Sequence, residues 1–238
     1  MFKNKKLIIF DMDGTLIDSM EIWNKVDKEL IKKICNQDIN ENEILIQRDN
    51  ELKRLSNSCN MYLEYCNYLK EKYNSSYSKE EIMQMRYEIS DEYLKNVIDY
   101  KPNAEKVLHK LKEKGFKLAI ATTGREHAME QYKKYNKNII KKANIEEMFD
   151  IIHTQDTVKN MKPNPEVHLR ILEDLKMKRE ECLVVEDSLV GVEAAINANI
   201  EVVAIYDKSA DKDREEINRL SKYQFKDFNE MLECIEKQ

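Results

Sequence analysis

Five short apolar runs recur along the chain, and the segments between them have helical spacing. The runs are Leu7-Ile8-Ile9-Phe10, 117–121 (KLAIA), 150–153 (DIIH), 182–185 (CLVV) and 201–205 (EVVAI). Unbroken apolar runs of this length suit strands buried on both faces. Residues 104–115 carry Val107, Leu108 and Leu111 on one helical face and stop at Gly115, placed as a C′ glycine. Residues 165–175 and 189–199 repeat the pattern. Strands alternating with helices in this way imply a parallel sheet with helices on both faces, an α/β fold.

The alternation fails once. From Ser19 to Asp99 there is neither glycine nor proline and no strand run. Ile22, Val26, Leu30 and Ile34 share one helical face, as do Tyr62, Leu63, Cys66 and Leu69, and then Ile82, Met85 and Ile89. Four helices fit, with breaks at 36–40, 56–60 and 74–78, and Ser78 with Glu81 has capping-box spacing. The expected architecture is a Rossmann-like core over 1–18 and 100–238 with an inserted all-helical cap over 19–99.

Charge narrows the partners. The net charge of −5 and pI near 5.6 argue against a nucleic-acid binder held by phosphate contacts. No run approaches the ~18 apolar residues of a membrane span, and the first run is too short for a signal peptide. The cysteines at 35, 59, 66, 182 and 234 form no C-x-x-C pair, so they read as buried reduced thiols rather than metal ligands. These features together predict a cytoplasmic protein.

The polar residues that follow the apolar runs carry the chemistry. Asp11 and Asp13 follow the first run, Thr122 and Thr123 the second, and Glu186 and Asp187 the fourth. Lys162 stands ahead of the helix that follows the third. In open parallel sheets ligands bind beyond the carboxyl ends of the strands, so these groups converge on one edge. Four carboxylates there repel one another unless a cation intervenes, and an all-oxygen set points to Mg²⁺. With Lys162, a threonine hydroxyl and free backbone amides at Gly14 and Thr15, the edge becomes a phosphate site. Asp11 is then placed to attack phosphorus, and Asp13 to protonate the leaving oxygen and later deprotonate water.

The four segments also carry a resemblance. Asp11-Met12-Asp13-Gly14-Thr15-Leu16, Thr122 in Ala121-Thr122-Thr123, Lys162 in Lys162-Pro163-Asn164-Pro165, and Glu186-Asp187-Ser188 with Gly191 resemble the four motifs of the haloacid dehalogenase superfamily. The branch resembled is the phosphatase-like and beta-phosphoglucomutase-like one with a helical cap, and the match spans residues 1–18 and 100–206. The resemblance implies Asp11 as nucleophile, Asp13 as acid/base, and Thr122 and Lys162 on the transferring phosphate. It further implies that the side chains of Asp11 and Asp187, the carbonyl of Asp13, and Glu186 hold Mg²⁺. A carboxylate two residues after the nucleophile selects phosphate chemistry within that superfamily. The chain departs from the pattern at Asn103 after Pro102 and at Met161 before Lys162, and its cap lacks a specificity-loop glycine.

The expected function is hydrolysis of a small phosphorylated metabolite through an aspartyl-phosphate. A sugar phosphomutase and a non-catalytic phosphometabolite-binding protein are the alternatives; oligomeric state is not legible. Arg48 reads equally as a solvated helix residue or as a group reaching toward an anionic substrate. Trp23 and Glu21 read as junction residues, Asp18 and Ser19 as turn residues, Arg125 as a residue near the rim of the site, and His127 as a surface histidine of a first helical turn rather than a catalytic group. The tyrosines at 62, 65, 68, 73 and 77 read as a helix–helix interface.

Overall fold

A computed structural model describes residues 1–55, 58 and 60–237. Its sheet has six strands: β1 (Leu7–Phe10), β2 (Lys117–Ala121), β3 (Ile151–His153), β4 (Cys182–Glu186), β5 (Glu201–Ile205) and β6 (Tyr223–Phe225). Every pairing is parallel and the order is β3-β2-β1-β4-β5-β6. The chain runs outward from β1 through β2 to β3, then crosses to place β4 on the other side of β1. That reversal opens a crevice at the carboxyl ends of β1, β2 and β4, where such sheets bind ligands. Residues of β1 and β4 are fully buried, as their apolar runs predict. β6 was not expected, because Tyr-Gln-Phe at an edge has no apolar run to announce it.

Around this sheet lie α5 (Ala104–Glu113), α6 (Glu126–Lys134), α7 (Lys137–Lys142), α8 (Ile145–Met148), α9 (Glu166–Leu175), α10 (Leu189–Asn197), α11 (Arg214–Leu220) and α12 (Phe228–Glu236). α5 ends as its sequence predicts. Gly115 has φ +83°, its N–H bonds Lys112 O, and Phe116 N–H bonds Leu111 O, a complete Schellman closure. Few glycines are available elsewhere, and asparagine takes their place. Asn4, Asn36, Asn74, Asn103 and Asn199 all have positive φ, which Asn tolerates better than other side chains. Asn103 (φ 66°) thereby makes the turn into α5 that a glycine would otherwise make.

The chain divides into two compact units, Met1–Ser19 with Ile98–Gln238, and Met20–Val97. The second is all helical: α1 (Ile22–Cys35), α2 (Glu41–Arg54), α3 (Met61–Lys72) and α4 (Lys79–Asn96). Leu30, Ile31, Ile34, Ile44, Tyr65, Cys66, Leu69 and Ile82 form its core. α4 begins at the expected capping box, with Ser78 Oγ accepting from Glu81 N and Glu81 accepting from Ser78 N. Tyr65 is buried in this core and Tyr68 and Tyr73 pack on it, whereas Tyr77 is 37% exposed. In the break placed at 56–60, Ser56, Asn57 and Cys59 lie outside the described residues, so Cys59's thiol does too. Cys35, Cys66 and Cys182 remain thiols, and burial pushes Cys66 and Cys182 up to about 12. Among the described residues no helix is long and apolar enough to cross a membrane.

Candidate active site

Lys162 organises the crevice. Its side chain is 2% exposed, and Nζ donates to Asp11 Oδ1 (2.7 Å), Ala121 O (2.9 Å) and Glu186 Oε1. All three ammonium protons are thus used, and the group spans the ends of β1, β2 and β4. Burial alone would depress its pKa, but Asp11 and Glu186 outweigh that and raise it, so it stays charged.

Glu186 closes β4 and is fully buried. Its second oxygen accepts from Asp187 N, Ser188 N and Ser188 Oγ. A β-carbon at Gly191 would lie 1.8 Å from Glu186 Oε1, so only glycine fits under this carboxylate. Asp187, 3% exposed, accepts from Thr15 Oγ1 at 2.6 Å. Gly14 has φ +85°, and a β-carbon there would sit 2.6 Å from Asp187 Oδ2. The glycines of the first and fourth segments therefore exist to let carboxylates pass.

Asp11, Glu186 and Asp187 each offer an oxygen within 4.8 Å of the others, all buried. Burial raises the Asp11 pKa well above the usual range, with Glu186 and Asp187 adding to it against Lys162. Burial and then Glu186 push Asp187 to about 7. Three carboxylates against one ammonium leave surplus negative charge, which a hard divalent cation would neutralise. Asp11 Oδ2 and Asp187 Oδ2 accept no hydrogen bond from a described residue, so this all-oxygen set fits Mg²⁺.

Asp13 is partly buried, and its Oδ1 accepts from Ser19 Oγ (2.6 Å) and Tyr132 OH (3.5 Å). Burial raises its pKa, while Ser19 and Tyr132 hold it back. Ser19 was expected only to shape a turn, and Tyr132 on α6 carried no sequence signal. Thr122 Oγ1 accepts from Gly124 N at 2.9 Å and keeps its own proton to give. A β-carbon at Gly124 would approach both Asp13 Oδ2 and Thr122 Oγ1 to 3.2 Å, so Thr122 and Asp13 flank one gap. Thr123 follows, half-buried.

Two expectations need correction. Gly14 N–H donates to Ile17 O, so it is not a free amide; the Thr15 amide finds no backbone acceptor among the described residues, while its hydroxyl donates to Asp187. The Gly14 bond closes the turn after β1 and the Thr15 hydroxyl ties that turn to Asp187. Arg48 is neither solvated nor outreaching, for it lies buried beside Asp27 at 3.4 Å. His127 lies in the first turn of α6, half-buried.

Residues 8–205 match the family described as haloacid dehalogenase-like hydrolase. A phosphorylated carbohydrates phosphatase of Thermotoga maritima is 29% identical over 198 residues, covering 82% of each chain. A phosphoglycolate phosphatase of Aquifex aeolicus is 30% identical over 196 residues, covering 81% of each. A solved structure titled putative beta-phosphoglucomutase, from Thermotoga maritima, superposes with TM-score 0.73 at 27% identity, over 93% of this chain and 94% of that one.

Proposed function

The chain belongs to the haloacid dehalogenase-like hydrolase family, and from that premise we propose that it is a magnesium-dependent phosphatase of a small phosphorylated metabolite, acting through an aspartyl-phosphate. The observation that carries this reading is the division of labour among buried carboxylates. Asp11 is clamped by a charged lysine, whereas Asp13, two residues on, is bonded to the hydroxyls of Ser19 and Tyr132 among the described residues. One is held for attack and the other for proton transfer.

In this reading a carboxylate oxygen of Asp11 bonds to phosphorus as the ester P–O bond breaks, and Asp13 gives its proton to the departing oxygen. Asp13 then takes a proton from the water that attacks phosphorus, the Asp11–phosphorus bond breaks, and inorganic phosphate leaves. Lys162, by turning one of its three N–H donors from a present acceptor, and the Thr122 hydroxyl hold the phosphoryl oxygens, with Thr123 beside them, and the Gly14–Thr15 turn fixes Asp187. Mg²⁺ held by the side chains of Asp11 and Asp187 and the Asp13 carbonyl, with Glu186 adjacent, would supply charge neutralisation that lets the dianion approach. The helical unit is the cap of this scheme and the source of substrate selectivity.

The test is phosphate release from a panel of sugar phosphates, phosphoglycolate and p-nitrophenyl phosphate with and without Mg²⁺. Magnesium-dependent release is expected; no release from any ester would sink the reading. The likeness to the structure titled putative beta-phosphoglucomutase supports a second reading, phosphate transfer between sugar positions. A need for a sugar bisphosphate primer with negligible phosphate release would select it. Membership in a hydrolase family stands against the non-catalytic alternative.

A further inference from the structure

β3 is three residues long and stands at the edge of the sheet, paired with β2. An edge strand this short is held by its ladder from one side. The backbone that follows β2 nevertheless depends on it. Thr122 N–H donates to His153 O at 3.0 Å, one residue past the last paired position, Ala121 with His153, and Gln155 N–H donates to Gly124 O at 3.0 Å. Asp156 Oδ2 then accepts from Glu126 N at 2.8 Å, where α6 begins. The turn from Thr122 to Glu126 is therefore tied to residues 153–156 at three points.

Side chains supply the hold that β3 lacks on its outer side. His153 is 8% exposed. Its Nε2 lies 2.8 Å from Asp174 Oδ2 on α9, so that nitrogen carries the proton the carboxylate accepts, and its Nδ1 lies 3.0 Å from Thr157 Oγ1. Thr157 Oγ1 donates in turn to Thr154 O at 2.8 Å, and Arg170 Nη1 donates to Thr157 O. Arg170 and Asp174 stand four residues apart and share one face of α9. The imidazole thus bridges its own loop to a helix, with both nitrogens engaged. The same helix steadies the approach to Lys162, because Glu166 in its first turn accepts from Lys159 N and Asn160 N, both at 2.9 Å.

We propose that His153, anchored by Asp174, is a positioning residue for Thr122. α9 holds the end of β3 through the imidazole, and the His153 carbonyl holds the Thr122 backbone, so one helix sets the places of both Lys162 and Thr122. His153 and Asp174 act through the backbone rather than on a reacting group. The consequence for turnover rests on the phosphatase reading; the consequence for the backbone does not.

Two measurements separate these consequences. Amide hydrogen exchange, followed by NMR in full-length wild type, Asp174→Ala and His153→Leu, reads the backbone. The Asp174 side chain is 47% exposed, so its removal opens no cavity in the core. The Thr122 amide should exchange at least tenfold faster in each variant, with a smaller change at Ile9 and Val184 in the central strands. Equal acceleration at all three amides, the mark of a merely destabilising change, or none at Thr122 in either variant, overturns the proposal. Where wild type releases phosphate, Asp174→Ala should lower kcat/KM about tenfold, in keeping with a small misplacement of a binding group. Asp174→Asn, which keeps an acceptor oxygen for Nε2, should recover most of that loss. In a Thr122→Ala background, Asp174→Ala should cost less than twofold more, because the group it positions is gone. Losses that multiply in the double variant also overturn the proposal. A wild type that releases no phosphate ends the phosphatase reading and leaves the exchange result to decide this one.

Discussion

The Lys162 ammonium donates to Asp11 Oδ1 at 2.7 Å although 151 residues separate the two, and their side chains are 2% and 9% exposed. The same nitrogen holds Glu186. Lys162→Met would strand two buried carboxylates without their cation. Activity is expected to fall by at least ~10³-fold, in line with the loss of a preorganised charge. Stability at pH 7.5 should fall by about 3–5 kcal/mol, read from chemical denaturation. Near-wild-type turnover in a folded variant would remove Lys162 from the site.

Three glycine substitutions should rank by what a β-carbon meets. Gly191→Ala drives into Glu186 at 1.8 Å, Gly14→Ala into Asp187 at 2.6 Å with φ +85°, and Gly115→Ala meets open space at φ +83°. Gly115→Ala carries backbone strain alone, about 1 kcal/mol. The other two add a clash, with losses of roughly 2–4 kcal/mol. Melting temperatures should fall in the order Gly191→Ala, Gly14→Ala, Gly115→Ala from most to least damaged. A reversed order would mean that the carboxylates are not held where they lie.

Much of this geometry was legible because most of the candidate groups stand at or just after the end of an apolar run. Asp11, Glu186 and Asp187 inherit their positions from β1 and β4, and strand ends of one parallel sheet must share an edge. Tyr132 was not legible, since its hydroxyl meets Asp13 only through the way α6 docks. Nor was Asn103, where an asparagine in the left-handed region replaces the expected glycine. Arg48 sits in a helix with mostly polar neighbours and reads equally as solvated or as reaching toward an anionic substrate; it lies buried beside Asp27 of α1 instead. Pairings across helices leave no periodic trace in one sequence.

Ser19 and Tyr132 both donate to Asp13 Oδ1, which fixes the carboxylate that the proposed mechanism uses for proton transfer. Ser19→Ala, losing the 2.6 Å bond, should lower kcat by about tenfold, and Tyr132→Phe by about threefold. Both are small parts of the ~10²–10⁴ that acid–base groups contribute. KM should stay within twofold in each. Equal rises in KM with unchanged kcat would place these residues in substrate binding instead.

His168 on α9 is fully buried, and neither ring nitrogen finds a partner among the described residues. Burial, then Lys162, pushes its pKa from 6.5 down to about 3. The unfolded chain therefore binds a proton below pH 6.5 that the folded chain refuses until about pH 3. Stability present above pH 6.5 is lost as pH falls across that window, by about 1.4 kcal/mol per unit for this group. His168→Phe removes the ionisable ring. Its advantage over wild type in urea denaturation should widen from pH 7 to pH 5. A pH-independent difference would mean that the imidazole is satisfied and protonates normally.

The most direct test of the central claim is acid-quenched peptide mass spectrometry during Mg²⁺-supported turnover of a phosphate ester. The wild type should carry one phosphoryl group on the peptide containing Asp11, and Asp11→Asn should carry none and turn over no substrate. A phosphoryl group on another residue, or wild-type turnover by Asp11→Asn, would contradict the assignment of Asp11 as nucleophile.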